Sequence, residues 1–215
     1  MSKFRRQLMM ASISEPIPPL PYDAEVEYLE STGTQYIDTG IKGNFTSKYL
    51  YHIEVKWKSA SHRQLMGAQN LNFFGIDGSG KYESYYAMTQ SGSTSSFDVV
   101  EFGMAYLSAY AKTYRRFTYI NGALSTTSWE SRNLFSKNDI CIFGMLNTGG
   151  NSLDSAFACE CYIRHFKIYN DQTGDVYFDG IPVRVGQVGY MYDKVSKQLF
   201  GNQGTGNFIL GNDVS

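Results

Sequence analysis

The residues able to do chemistry in this chain are few, and their spacing decides against most reactions. Cleaving a glycosidic bond needs two converging carboxylates, and residues two apart on a strand share a face. Glu25 and Glu27 have that spacing but Glu30 is out of phase, while Asp98 and Glu101, three apart, point to opposite faces. These are solvated strand faces, and no catalytic residue is assigned. The run 75–81, GIDGSGK, fits the first seven positions of a phosphate loop, but Tyr82 stands where a metal-binding hydroxyl is needed and a strand pattern follows. It reads as a β-turn. Cys159, Cys161 and His165 share parity on one extended segment. Three ligands on one flat strand leave a zinc tetrahedron unclosed, so these are read as buried thiols and no metal is assigned. His52, His62 and His165 have no nucleophile or carboxylate partner in local sequence, and no G-x-S-x-G occurs. Asn147, Asn151 and Asp154 offer oxygens to a loop-bound calcium, the one cofactor left open, although such clusters commonly only form turns.

Two groups suit binding instead. Tyr82, Tyr85 and Tyr86, with Trp129, lie near turns, where an aromatic face can stack on the C–H face of a pyranose. Their competing role is core packing. Lys3, Phe4, Arg5, Arg6, Leu8, Met9 and Met10 form a basic-apolar tip, and residues 14–21, SEPIPPLP, hold four of the five prolines. Proline fixes φ and removes donors, so this piece is an extended spacer. Residues 1–21 read as an attachment arm and 22–215 as the domain it carries.

The elements around these residues are strands. From Glu25 onward, short β patterns recur at close spacing, as in Tyr49, Tyr51, Ile53, Val55 and Trp57 alternating with Leu50, His52, Glu54, Lys56 and Lys58. Asn121-Gly122 is a type I′ hairpin signal after a strand over 114–120. Asp77-Gly78 and Asp179-Gly180 mark further turns, 82–88 reads as one strand, and a short helical piece is expected around 105–112. Many short antiparallel strands imply a two-sheet sandwich or jelly roll, an all-β fold.

Composition agrees. Of 215 residues, 42% are apolar and 18% charged, with 17 Tyr, 14 Phe and 21 Gly, a mix suited to pleated, half-buried surfaces and tight turns. The net charge of −1 creates no field favouring nucleic acid or anionic membrane, and no stretch approaches the roughly 20 apolar residues a spanning helix needs. The apolar run 8–11 falls short of a signal peptide's core of at least ~7 residues. Three cysteines make no disulfide framework, so the thiols are read as reduced in a chain folded in the cytoplasm.

Residues 27–40, EYLESTGTQYIDTG, and residues 166–211, FKIYNDQTGDVYFDGIPVRVGQVGYMYDKVSKQLFGNQGTGNFILG, resemble the opening and ending of a laminin-G-like, concanavalin A-like jelly-roll family of gut Bacteroidales-type bacteria and their phages. The start MSKFRRQLMM with its Pro-rich spacer is similar to small proteins encoded by phages of those bacteria. The resemblance implies a non-catalytic virion protein, namely a head-fibre, capsid-decorating or tail-associated component. The arm would dock on capsid or tail proteins, and the jelly roll would face outward and could touch cell-surface glycans. Assembly in the bacterial host cytoplasm, and a homo-oligomer such as a trimer with avidity for weak sites, go with that expectation. The alternatives are a bacterial carbohydrate-binding module and, behind it, a jelly-roll glycoside hydrolase or lyase. No ligand residue carries over, because the resemblance is loosest in the middle of the chain.

Overall fold

The computed structural model describes residues 19–44, 49–59, 63–68, 72–76, 81–84, 87–108, 113–130, 135–146, 153, 158–170 and 173–214. Among them every regular element is a strand. In chain order these are β1 (Ala24–Glu25), β2 (Leu29–Glu30), β3 (Ile37–Asn44), β4 (Leu50–Trp57), β5 (Arg63–Ala68), β6 (Asn72–Ile76), β7 (Lys81–Ser84), β8 (Ala87–Ser91) and β9 (Asp98–Ser108). There follow β10 (Thr113–Ile120), β11 (Ala123–Glu130), β12 (Phe135–Ile142), β13 (Cys161–Tyr169), β14 (Val176–Val185), β15 (Val188–Asp193), β16 (Gln198–Phe200) and β17 (Ile209–Leu210).

They form two antiparallel sheets of a jelly-roll sandwich. The large sheet runs β11-β10-β9-β4-β13-β14-β15-β16, with β1, β2 and β17 attached, and the small one runs β3-β12-β5-β6-β7-β8. Alternation on β4 explains the layering: Tyr51, Ile53, Val55 and Trp57 are buried, whereas His52, Glu54 and Lys56 are half-buried on the other face. The inner faces meet through rings. Phe74 of the small sheet stacks on Phe102 of the large one at 4.8 Å, and Phe102 also stacks with Tyr51 at 4.8 Å. Dense aromatic packing of this kind supplies much of the burial that holds such a sandwich together.

Several expectations hold and several need correcting. Asn121 (φ 51°) and Gly122 (φ 78°) make the tight turn between β10 and β11. The helical piece around 105–112 is not formed in its described part, since residues 105–108 continue β9 opposite β10. Cross-strand pairing there overrides local pattern. Asp179-Gly180 is no turn; both lie inside β14, where Gly180 is needed because a Cβ would strike the Phe178 ring and Met191. The expected strand over 82–88 is broken into β7 and β8. Asp77-Gly78 lies outside the described residues.

The loops on either side of β3 and β17 close the sandwich. Buried Gln35 accepts from the Thr32 N–H at 2.8 Å and donates to the carbonyls of Thr205 (3.2 Å) and Asn207 (3.3 Å). Asn202 accepts from the N–H groups of Tyr36 (3.1 Å) and Gly204 (2.8 Å) and donates to the Gly206 carbonyl at 2.8 Å. Residues 27–40 and 166–211, far apart in sequence, are thus one hydrogen-bonded unit. The ends join it: Val26 bridges Asp213, and Arg184 pairs with both oxygens of Asp213 at 2.7 and 2.6 Å. Pro19, Leu20 and Pro21 are exposed ahead of this edge.

A Cβ at Gly204 would run into the Thr34 backbone carbonyl, which cannot rotate away. Gly204→Ala is expected to cost about 2 kcal/mol, lowering Tm by about 4–8 °C for a chain of this size. Calorimetry checks this, and an unchanged Tm would mean that the loop is free to move.

Candidate functional site

The outer face of the large sheet gathers the polar chemistry, and a bulge creates it. On β13 the buried positions are Cys161, Ile163, Phe166 and Ile168, so the inward phase slips by one residue after Ile163. Opposite β4, Ile163 pairs with Val55 and His165 with Glu54, leaving Arg164 as the extra residue of a β-bulge. The bulge lies where β13 exchanges one neighbour for another, pairing with β2 through Tyr162 and Ile163 and with β14 from Phe166 on. Arg164 and His165 therefore both face outward. This corrects the parity expected for Cys159, Cys161 and His165, because His165 stands on the face opposite the Cys161 thiol.

On that face His52 lies directly across from Glu101 on β9 and from Lys167 on β13. Its Nδ1 is 3.4 Å from Glu101 Oε1, and its Nε2 is 3.8 Å from Glu54 Oε1. The His165 Nε2 is 2.7 Å from Asp179 Oδ1, and the two imidazoles meet edge-on at 5.2 Å. His52, Glu101, His165, Lys167 and Tyr169 line an open depression of about 290 Å³. The two histidines thus acquire three carboxylates: Glu101 and Asp179 come from paired strands, and Glu54 lies two residues from His52 on β4.

Further along the same face, Tyr162 meets Tyr28 edge-on at 5.0 Å, and Lys56 Nζ lies 4.2 Å from the Tyr162 ring centre. The Arg164 guanidinium sits 3.9 Å from the centre of the Phe97 ring. These are cation–π contacts on half-buried rings. From Tyr162 to Tyr169 the outward face of β13 runs for roughly 20 Å at ~3.3 Å per residue, with aromatic groups at each end and charged groups between.

The aromatic candidates fare differently. Tyr82 is 1% exposed, so the proposed sugar-stacking role is corrected: its ring lies between Phe74 (5.2 Å) and Trp57 (6.0 Å) in the core. Its hydroxyl donates to Asp98 Oδ2 at 2.6 Å, and burial, then that bond, push the phenol far above its ordinary range. Asp98 also accepts from the Ser93 N–H (2.9 Å) and from Asn121 (3.0 Å), so the solvated face expected for Asp98 and Glu30 is corrected: both are buried, and the Asp98 carboxylate is used in structure. Tyr85 and Tyr86, the arm residues Lys3 to Met10, and Asn147, Asn151 and Asp154 lie outside the described residues. Trp129 falls in β11, across from Arg115. The three cysteines are buried and free, and burial drives the Cys141 and Cys161 thiols well above their usual range.

No family model and no curated protein sequence matches this chain. Among solved structures it is similar to a candidate carbohydrate-binding protein from Bacteroides ovatus, with a TM-score of 0.57 and 9% identity, over 89% of this chain and 61% of the other. The chain thus spans less than two thirds of that protein's length. A heptameric SAP-like pentraxin from Limulus polyphemus aligns more loosely, with a TM-score of 0.37 and 11% identity over 70% of this chain and 73% of that one. The class defined is an all-β jelly-roll sandwich, a fold that hosts binding, structural and catalytic proteins alike.

Removing the Tyr82 hydroxyl strips Asp98 of one buried donor. Tyr82→Phe is expected to lose about 1–2 kcal/mol in urea unfolding without altering any surface binding. An unchanged midpoint would deny that the bond contributes.

Proposed function

We propose that this protein is a non-catalytic glycan-binding domain whose recognition surface is the outer face of β4, β9 and β13. The observation carrying this reading is the outward face of β13. There Tyr162, Arg164, His165, Lys167 and Tyr169 alternate rings with hydrogen-bonding and charged groups. Sugars present apolar C–H faces and dense hydroxyls, and such a surface offers partners to both. The depression of about 290 Å³ lies at or below the small end of enclosed ligand pockets, ~300–1,000 Å³. An open strip suits a chain-like polymer lying across the sheet better than a small enclosed substrate. The fold shared with a candidate carbohydrate binder from Bacteroides ovatus supports the same reading. Glu54, Glu101 and Asp179 lean on histidines in an open face, which favours binding over a hydrolase's opposed acid and base.

The wider setting we propose is a bacteriophage virion. The basic-apolar residues Lys3, Phe4, Arg5, Arg6, Leu8, Met9 and Met10 on a proline-stiffened spacer favour an arm that docks on capsid or tail proteins. In that setting the protein is a head-fibre, capsid-decorating or tail-associated component assembled in the host cytoplasm, and homo-oligomerisation multiplies weak sites. Deleting residues 1–21 is expected to abolish incorporation into particles while leaving glycan binding intact. Undiminished incorporation would instead favour a free-standing carbohydrate-binding module.

A glycan array of bacterial surface polysaccharides, followed by titration calorimetry, tests the binding claim. Tyr162→Ala and Arg164→Ala are each expected to weaken binding about 10-fold, or ~1.4 kcal/mol, with Tm preserved. No ligand at millimolar concentration, or full binding by the double variant, would contradict it.

A further inference from the structure

Three side chains on the outer face are arranged for more than hydroxyl contacts. His52, Glu54 and His165 each offer one ligand atom, and these atoms all lie within 4.8 Å of one another. They come from two paired strands: His52 and Glu54 are two apart on β4, and Glu54 is the cross-strand partner of His165. Three ligands on one flat strand cannot converge, but two strands and a bulge bring them together.

The second observation concerns what holds the imidazoles. Glu101 stands at Nδ1 of His52 (3.4 Å) and Asp179 at Nε2 of His165 (2.7 Å). A carboxylate on one ring nitrogen fixes the tautomer and turns the other nitrogen into a lone-pair donor, as in carboxylate–histidine–metal triads. Here both histidines carry such a carboxylate, and Glu54 adds an oxygen beside Nε2 of His52 at 3.8 Å. Metal–ligand bonds of about 2.0–2.2 Å set tetrahedral donors roughly 3.3–3.5 Å apart. The side chains are partly exposed, so side-chain rotation is the motion that metal uptake would require.

We propose that His52, Glu54 and His165 bind one divalent transition-metal ion, zinc being the best match, with Glu101 and Asp179 as positioning residues and a fourth coordination position open to the depression. Two nitrogens and one carboxylate suit zinc, whereas calcium and magnesium draw on six or more oxygens. Glu54, Glu101 and Asp179 are the carboxylates here and Lys167 Nζ leans 5.4 Å from the Tyr169 ring centre, while the Lys56 and Arg164 cations on the same face lie over the Tyr162 and Phe97 rings. The buried thiols of Cys141, Cys159 and Cys161 are turned away from solvent. The inference stands apart from the glycan reading, because metal uptake is measured with no sugar present.

The test uses the full chain, stripped with a chelator and titrated with ZnCl2 by calorimetry, then with Co²⁺ by visible absorption. One equivalent of zinc is expected. His52→Gln and His165→Gln are expected to weaken it at least 10-fold, and Asp179→Asn about 10-fold with Tm unchanged. The cobalt spectrum should show nitrogen and oxygen ligation, without a thiolate charge-transfer band, and should survive excess Ca²⁺. Absence of zinc binding would overturn the proposal. So would full affinity in the His52→Gln/His165→Gln double variant, a thiolate band, or displacement of cobalt by calcium.

Discussion

The molecule's chemistry depends on one extra residue in one strand. In β13 the alternation that buries Cys161 and Ile163 would carry His165 inward as well, beside Ile53 of β4. An imidazole there would be buried in an aromatic and aliphatic interior without a partner, at a cost of order 1–3 kcal/mol. The bulge at Arg164 resets the phase, so that Phe166 and Ile168 fill the core and His165 meets Glu54. Bulges commonly re-aim a side chain in this way. A single backbone irregularity thereby satisfies the core and assembles the outer cluster.

The bulge can act this way because the sandwich around it is firmly tied. Two polar groups buried at its margins are matched in full: Asp98 receives Tyr82, Ser93 and Asn121, and Gln35 spans from Thr32 to the loop before β17. Glu30, buried beside Tyr162, is paired with Lys58 at 2.5 Å, and that bond holds the Lys58 ammonium above its usual range. Each of these would be destabilising if half-satisfied. Together they fix the edges of β4, β9 and β13 and so the geometry of the outward face.

Much of the fold was legible because burial writes itself into alternation. Tyr51, Ile53, Val55 and Trp57 announce β4, and Asn121-Gly122 announces its hairpin, each from local chemistry alone. Strand β14 was hidden, since Asp179-Gly180 imitates a turn and Pro182 disfavours a strand; only the pairing with β13 and β15 makes both acceptable. The outer cluster was hidden for a related reason. Its carboxylates sit 2, 14 and 49 residues from the histidines they serve. One signal was nevertheless present: in CYIRHFKIY the apolar positions fall at 161, 163, 166 and 168, and the odd step between Ile163 and Phe166 marks a bulge. The tyrosines near turns misled in the opposite direction, because a ring as large as Tyr82 is worth more in the interior, provided its hydroxyl finds an acceptor there.

On the proposed reading, the outer face of the large sheet is the binding surface and the small sheet its support. Amide chemical-shift mapping of the ¹⁵N-labelled full chain, titrated with oligosaccharides from bacterial surface polysaccharides, addresses this most directly. Shifts are predicted along residues 52–56, 99–101 and 162–169, while residues 63–68 and 72–76 of the small sheet stay still. Shifts concentrated on the small sheet or in the β10–β11 hairpin, with β13 unmoved, would contradict it.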